Sequence, residues 1–183
     1  MNVADIDSRL VARTLAGDGR AFEELVRRHL RAASAVALGV LGDPADAEDV
    51  CQEAFLAALT RLEECRDPSR FAAWLLAIVR NRALNARERR AVRESEPLTR
   101  VAHAAGEDDP AENALRSERK EKLLAALSGL PPAQREVVLL HDLEGWRHRE
   151  IADLLGTSEG AVRVRLLQAR RNLRARLSES REG

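Results

Sequence analysis

The chain contains no tyrosine, three phenylalanines and two tryptophans, so aromatic residues make up only 3% of its 183 positions. Sheets draw on aromatic and β-branched side chains. Alanine, leucine and arginine predominate here instead, which favours packed helices. The two cysteines, Cys51 and Cys65, are too few for a disulfide framework and sit in no zinc-binding pattern. Four histidines (His29, His103, His141 and His148) show no ligand spacing with one another or with either cysteine, so no metal is expected. There is no phosphate-cradling glycine loop and no nucleophile–base pairing, hence no expected catalytic residue, cofactor or enzymatic activity. No window of about 18 uncharged apolar residues and no signal-peptide pattern is present, so a soluble, cytoplasmic protein without membrane insertion is expected. Net charge is +0, from 30 basic and 30 acidic residues, so no overall basicity announces nucleic acid.

The charge is segregated. Arg80 to Arg93 holds six arginines against Glu88, and Glu94 to Glu118 holds seven acids against Arg100 and Arg116. Two basic surfaces joined by an acidic connector fit this pattern. The chain length allows one domain or two small ones, and punctuation along it marks two helical blocks. In the first, a short helix near Asp7 to Ala16 ends at Gly17-Asp18-Gly19. A longer one follows from about Arg20 to Leu41, closed by Gly42. Asp43-Pro44 supplies an N-cap and an N1 proline for a third helix running to about Leu62. After a loop from Glu63 to Asp67, Pro68-Ser69 opens a fourth helix to about Val92. The stretch from Glu94 to about Pro110 has no sustained period and reads as a flexible linker. The second block holds helices near Ala114–Leu127, Pro131–Leu143, Arg147–Leu155 and Ser158–Ser178.

The most informative stretch is HREIADLLGTSEGAVRVRLL, His148 to Leu167. Ile151, Leu154 and Leu155 give one helix an apolar face, Gly156 is its left-handed stop, and Ser158 caps the next. Six arginines and no acid lie between Arg163 and Arg176, the footprint of a helix that meets a phosphate backbone. The pattern is that of a helix-turn-helix.

Two further faces are not explained by core packing. On the third helix, Ala47, Cys51, Ala54, Phe55, Ala58 and Leu62 form the apolar stripe. Asp46, Asp49 and Glu53, with Gln52 and the apolar Leu56, form the opposite side, a surface either simply solvated or able to dock a basic helical partner. On the fourth, Phe71, Trp74, Leu75 and Ile78 are core-like, with Phe71 and Trp74 read as packing residues rather than stacking platforms. RNRALNARERR, Arg80 to Arg90, then turns basic with Asn81 and Asn85 interleaved, side chains suited to phosphates and base edges.

Taken in order, GDGRAFEELVRRH, LGDPADAEDVCQEAFLAAL, FAAWLLAIVRNRAL, LPPAQREVVLLHDLEGW and REIADLLGTSEGAVRVRLLQARRNLR resemble the bacterial sigma-70 family, in its small extracytoplasmic-function (ECF) type. The resemblance implies an all-α protein of two helical domains: residues 1–93 as region 2, 94–113 as a flexible acidic linker, and 114–183 as region 4. It also implies a factor that binds core RNA polymerase (the β′ coiled coil and the β flap) and directs it to promoter DNA, with an anti-sigma factor as a further partner. By that resemblance Asp46, Asp49, Gln52, Glu53 and Leu56 fall on the β′-binding surface. Arg61, Arg66 and Ser69 fall on the loop that captures a flipped base, and Arg80, Asn81, Asn85 and Arg87 along −10 DNA. Arg149, Ser158, Glu159, Gly160, Arg163, Arg165 and Arg170 fall on the helix-turn-helix that enters the −35 major groove. Two other classes are consistent with parts of the sequence: a sigma-like decoy that titrates an anti-sigma factor, and a plain helix-turn-helix regulator. The intact arginine stripe argues against the first, and the acidic face and separate first block against the second.

Overall fold

The computed structural model describes residues 3–94 and 112–182, with side chains described for 4–92 and 117–178. Most of the linker expected at 94–113 therefore lies outside the described residues. Within them the chain is helical throughout: α1 (Val3–Leu15), α2 (Gly19–Leu41), α3 (Pro44–Thr60), α4 (Phe71–Glu94), α5 (Glu112–Ser128), α6 (Pro132–Val138), α7 (His148–Leu155) and α8 (Glu159–Glu182). Three short turns supplement them, two of 3-10 type at Leu62–Glu64 and Pro68–Arg70 and one π-helical at Leu139–Leu143. Most helix ends are set by the residues expected. Gly17 adopts φ 92°, and the Asp18 carboxylate accepts from the backbone N–H groups of Arg20 and Ala21. Gly42 closes α2 at φ 76°, and the Asp43 side chain accepts from Asp46 N–H ahead of Pro44. The expected third helix stops two residues early, at Thr60, because the chain tightens into the 3-10 turn that carries Leu62 into the core. Pro68 likewise opens a 3-10 turn, capped by Asp67, rather than α4 itself.

α2 is the hub and packs against α1, α3, α4 and α6. Its N-terminal half is one-sided, with Ala21, Leu25, His29 and Ala33 buried at helical spacing. Its C-terminal half is different. Ala35, Val36, Ala37, Gly39 and Val40 are all buried, and Ser34, Leu38 and Leu41 are half-buried, so no face is fully exposed. A helix with so little exposed surface needs cover on more than one side, and here α3 and α4 of the first block and α6 and the π-helical turn of the second all pack against α2. The result is one continuous core that runs from Val11, Leu25, Phe71 and Leu75 in the first block to Val137, Leu140, Ile151 and Val162 in the second. Removing Phe71, which has no exposed surface, would cost about 3–5 kcal/mol by the usual large-to-small penalty.

The contact between α2 and α6 is close. A Cβ added to Gly39 would lie 2.9 Å from the Glu136 Cα. Arg135, itself buried, reaches across the ends of two helices. Its Nε donates to the Gly39 carbonyl at 2.8 Å and its terminal nitrogens to Val40 (3.2 Å), Ser128 (3.0 Å) and Leu127 (3.4 Å). A cation among the last carbonyls of α2 and α5 satisfies groups that no helix can satisfy internally and complements both dipoles.

Candidate nucleic-acid interface

α7 and α8 form the helix-turn-helix. Ile151 and Ala152 of α7 and Val162, Leu166 and Ala169 of α8 are buried, and α8 packs on both α7 and α6. Gly156 ends α7 with φ 62°, and the Ser158 hydroxyl accepts the Ala161 N–H at 3.2 Å, the N-cap that the sequence predicts. The Glu150 carboxylate steadies the entry to α7 by accepting from Arg147 N–H at 2.8 Å. Ser158, Gly160 and Arg163 are exposed, and nothing beyond Ser158 Oγ at 3.9 Å would meet a Cβ at Gly160. This leaves the first turn of α8 open, with its amide groups and positive dipole end available to an anion. Arg149 is exposed on α7, Arg165 is half-buried, and Arg163 pairs with Glu159 one turn earlier. Arg170 is committed differently. Its Nε donates to the Asp142 carboxylate at 2.9 Å, and a second bond from the same guanidinium holds Asp142 below the usual carboxylate range. Arg170 thus ties α8 to the turn after α6, a fixing contact that only the folded hairpin reveals. His141 and His148 lie beside it, their rings tilted at 41° with centroids 4.8 Å apart.

On the first block, α3 presents Asp49, Gln52, Glu53 and Leu56 to solvent, with Leu56 66% exposed. Asp46 and Glu53 already have partners, Arg90 at 2.6 Å and Arg82 at 3.1 Å, both on α4. Each pair is about half-exposed and contributes about 0–1 kcal/mol, so an incoming cationic surface can displace these arginines. Leu56 is a large apolar side chain among acids, and folding does not use it.

The residues placed along α4 divide into two faces. Asn81 and Asn85 line an open groove of about 690 Å³ with Arg61, Trp74, Ile78, Arg82 and Glu53. Arg61 is held there by a two-point contact with Glu64 (2.9 and 2.6 Å), and Ser69 donates to Asp67 at 2.6 Å, while Arg66 is exposed. Trp74 is only partly buried, so one edge of the ring reaches this groove, whereas Phe71 is core. Arg80 and Arg87 lie on the other side. At 100° per residue, positions 80 and 87 share one stripe and 81 and 85 another. That division was available from the sequence, but the target of the 80/87 stripe was not. It is Glu136 of α6: Arg80 approaches that carboxylate at 3.4 Å, and the charges of both Arg80 and Arg87 act on it.

Cys51 and Cys65 are both buried, and burial pushes both thiols up, away from the reactive thiolate. Sequence reasoning missed a buried charge cluster in the first block. Asp7 accepts from Arg28 Nε and faces His29 Nε2, each at 3.0 Å, with the His29 ring 5.4 Å from Phe71. Helical spacing within α1 and α2 puts all three on inward faces, yet nothing in the sequence pairs them.

Residues 25–93 match the family profile of Sigma-70 region 2, and residues 120–173 match that of Sigma-70, region 4. The probable RNA polymerase sigma factor RfaY of Xanthomonas campestris pv. campestris is 38% identical over 166 residues, which cover 88% of this chain but only 42% of that protein. The ECF RNA polymerase sigma factor SigM of Mycobacterium tuberculosis is 34% identical over 167 residues, 91% of this chain and 82% of SigM. Among solved structures, CnrH, a sigma factor of Cupriavidus metallidurans, in complex with the cytosolic domain of CnrY superposes with a TM-score of 0.66 at 32% identity, covering 95% of this chain and 98% of that one.

Proposed function

The chain belongs to the sigma-70 family of RNA polymerase sigma factors, in its ECF branch, and we propose that it places core polymerase on promoters through three separate surfaces. The exposed acids of α3 (Asp49 and Glu53, with Asp46, Gln52 and Leu56) dock the β′ coiled coil. The α3/α4 groove (Arg61, Asn81 and Asn85, with Arg66 and Ser69 at its rim) and the Arg80/Arg87 stripe take the melted −10 strand. The open first turn of α8 (Ser158, Glu159, Gly160, Arg163 and Arg165), with Arg149 beside it, reads the −35 major groove. Arg170 supports that helix through Asp142 and is removed from the base-reading set. Region 4 is also the surface we assign to the β flap, and α3 the surface we assign to an anti-sigma factor. CnrH, solved in complex with the cytosolic domain of CnrY, is a relative seen bound to a further protein, which supports a protein partner for this chain.

The observation that carries this reading is the presence, in one chain, of an acidic face with a stranded leucine on region 2 and a capped, unobstructed recognition helix on region 4. A plain helix-turn-helix regulator has no use for the first, and a decoy none for the second. Reconstitution with core RNA polymerase, followed by transcription from a library of promoter fragments, tests it. Promoter-selective transcripts are expected. Selective binding by the chain alone without transcription, or capture of an anti-sigma factor without either, overturns it.

A further inference from the structure

Two large apolar side chains on α8 have no part in the core. Val164 is 56% exposed and Leu167 is 72% exposed. The buried residues Val162, Leu166 and Ala169 define the inward side of the helix. At 100° per residue Val164 lies almost directly opposite them, with Leu167 beside it on the next turn. Gly160, one turn before Val164, shares this outer face and leaves it bare, since only Ser158 Oγ at 3.9 Å comes near the missing Cβ. Arg163 and Arg165 flank the face, Arg171 extends it, and no acid occurs from Gly160 to Ser178. We propose that Val164 and Leu167 are specificity-determining residues, which select −35 elements by contact with thymine methyl groups on neighbouring base pairs.

Folding does not account for the pair. Single exposed apolar residues are ordinary on a protein surface. These two are adjacent, stand in a run of arginines, and include a valine, which forms helix less readily than the alanine and arginine around it. Arginines on either side suit a polyanion, and the apolar group that the floor of a major groove presents is the C5-methyl of thymine. A cytosine at the same place would set its N4 amino donor against a side chain that cannot accept it, so the contact also rejects. Val164 and Leu167 are separated by about 4.5 Å along the axis at 1.5 Å per residue. That is close to the step of roughly 3.4 Å between base pairs, so the two meet neighbouring pairs. Gln168, exposed one turn beyond Val164, adds an amide suited to the adenine of an A·T pair.

This role rests on the assignment of α8 to the −35 groove, and the experiment keeps the two apart. Holoenzyme assembled from the full chain and core polymerase first selects −35 elements from a randomised promoter library. An element with neighbouring A·T pairs is expected. Each of its thymines is then replaced in turn by deoxyuridine, which keeps every hydrogen-bonding group of the base and removes only the methyl. Holoenzyme binding, measured by fluorescence titration at fixed salt, should weaken about fourfold at each of two neighbouring positions, the effect of one buried methyl group. Val164→Ser should abolish the loss at one position and Leu167→Ser at the other. Both variants should keep the wild-type thermal midpoint, because they remove exposed surface only. Deoxyuridine effects of equal size in wild type and variants, or none at any thymine, overturn the thymine-reading role and leave the sigma reading intact. Variants that lose affinity for core polymerase itself, with promoter preference unchanged, overturn it in favour of a protein-docking face. Absence of any selected element or promoter-selective transcript overturns the sigma reading on which the role stands.

Discussion

At the scale of single residues, His29 decides a pH dependence. Burial holds its imidazole below the ordinary value of 6.5, against the opposing pull of Asp7. The folded protein therefore keeps His29 neutral while the unfolded chain takes up a proton as pH drops. Its contribution to stability is complete above about pH 6.5 and is lost as pH falls below it. Thermal midpoints across this window should fall with acidification in wild type and less steeply in His29→Gln; parallel curves would show that His29 does not carry the effect. The arginines of α8 divide in the same residue-by-residue way. Arg163→Ala and Arg165→Ala should each cost about 1–3 kcal/mol on a matched −35 element and relax preference there, the signature of base contact. Arg174, further along the helix, should weaken matched and scrambled sequences equally, which competition binding by the holoenzyme measures.

At the scale of elements, helix ends and faces carry different risks. Gly156 sits at φ 62° with open space around its missing Cβ, so Gly156→Ala pays only for the left-handed backbone, about 1–2 kcal/mol. A drop of that size in denaturant unfolding, with −35 selectivity kept, is the expected result. Gly39 presents the opposite case, an ordinary helical backbone with no room, so its substitution acts on docking and not on the helix. The α3 face separates binding from folding. Asp49→Lys combined with Glu53→Lys removes only exposed charge and one half-exposed pair with Arg82, so stability should change by less than about 1 kcal/mol. Affinity for core polymerase should nevertheless fall, since like charges would then face each other. A double variant that assembles as well as wild type would remove α3 from the polymerase interface.

At the scale of the whole molecule, the free chain should bind promoter duplex weakly and without much selectivity. Two small modules lose freedom when both dock, and polymerase lowers that cost by fixing their separation. Titration of promoter DNA by the isolated protein should give weak affinity with a steep inverse dependence on salt, because phosphate contacts dominate. Selective binding should emerge only with core enzyme present. Tight, sequence-specific binding by the isolated protein at physiological salt would contradict both the handicap and its cause.

Sequence by itself determined most of the helices, several of their caps and both ends of the helix-turn-helix, because each depends on neighbours within a few residues. Gly42, Asp43, Gly156 and Ser158 act on the turn they belong to, and periodicity alone separated the buried stripe of α3 from its acidic face. On α4, by contrast, Arg80, Asn81, Asn85 and Arg87 read as one DNA-facing set, although 100° per residue sets 81 and 85 apart from 80 and 87. Tertiary structure alone decided what those faces meet. Arg170 reads as one more basic side chain until folding brings Asp142 beside it, and Arg80 as a DNA contact until α6 supplies Glu136. The stretch Ala32 to Leu41 is apolar apart from Ser34, so it offers little of the polar face expected of an outer helix. Such a stretch announces that something must cover it but not which element does. That choice belongs to Arg135 and Glu136, which sit some 95 residues away along the chain and meet α2 only once the second block has folded against it.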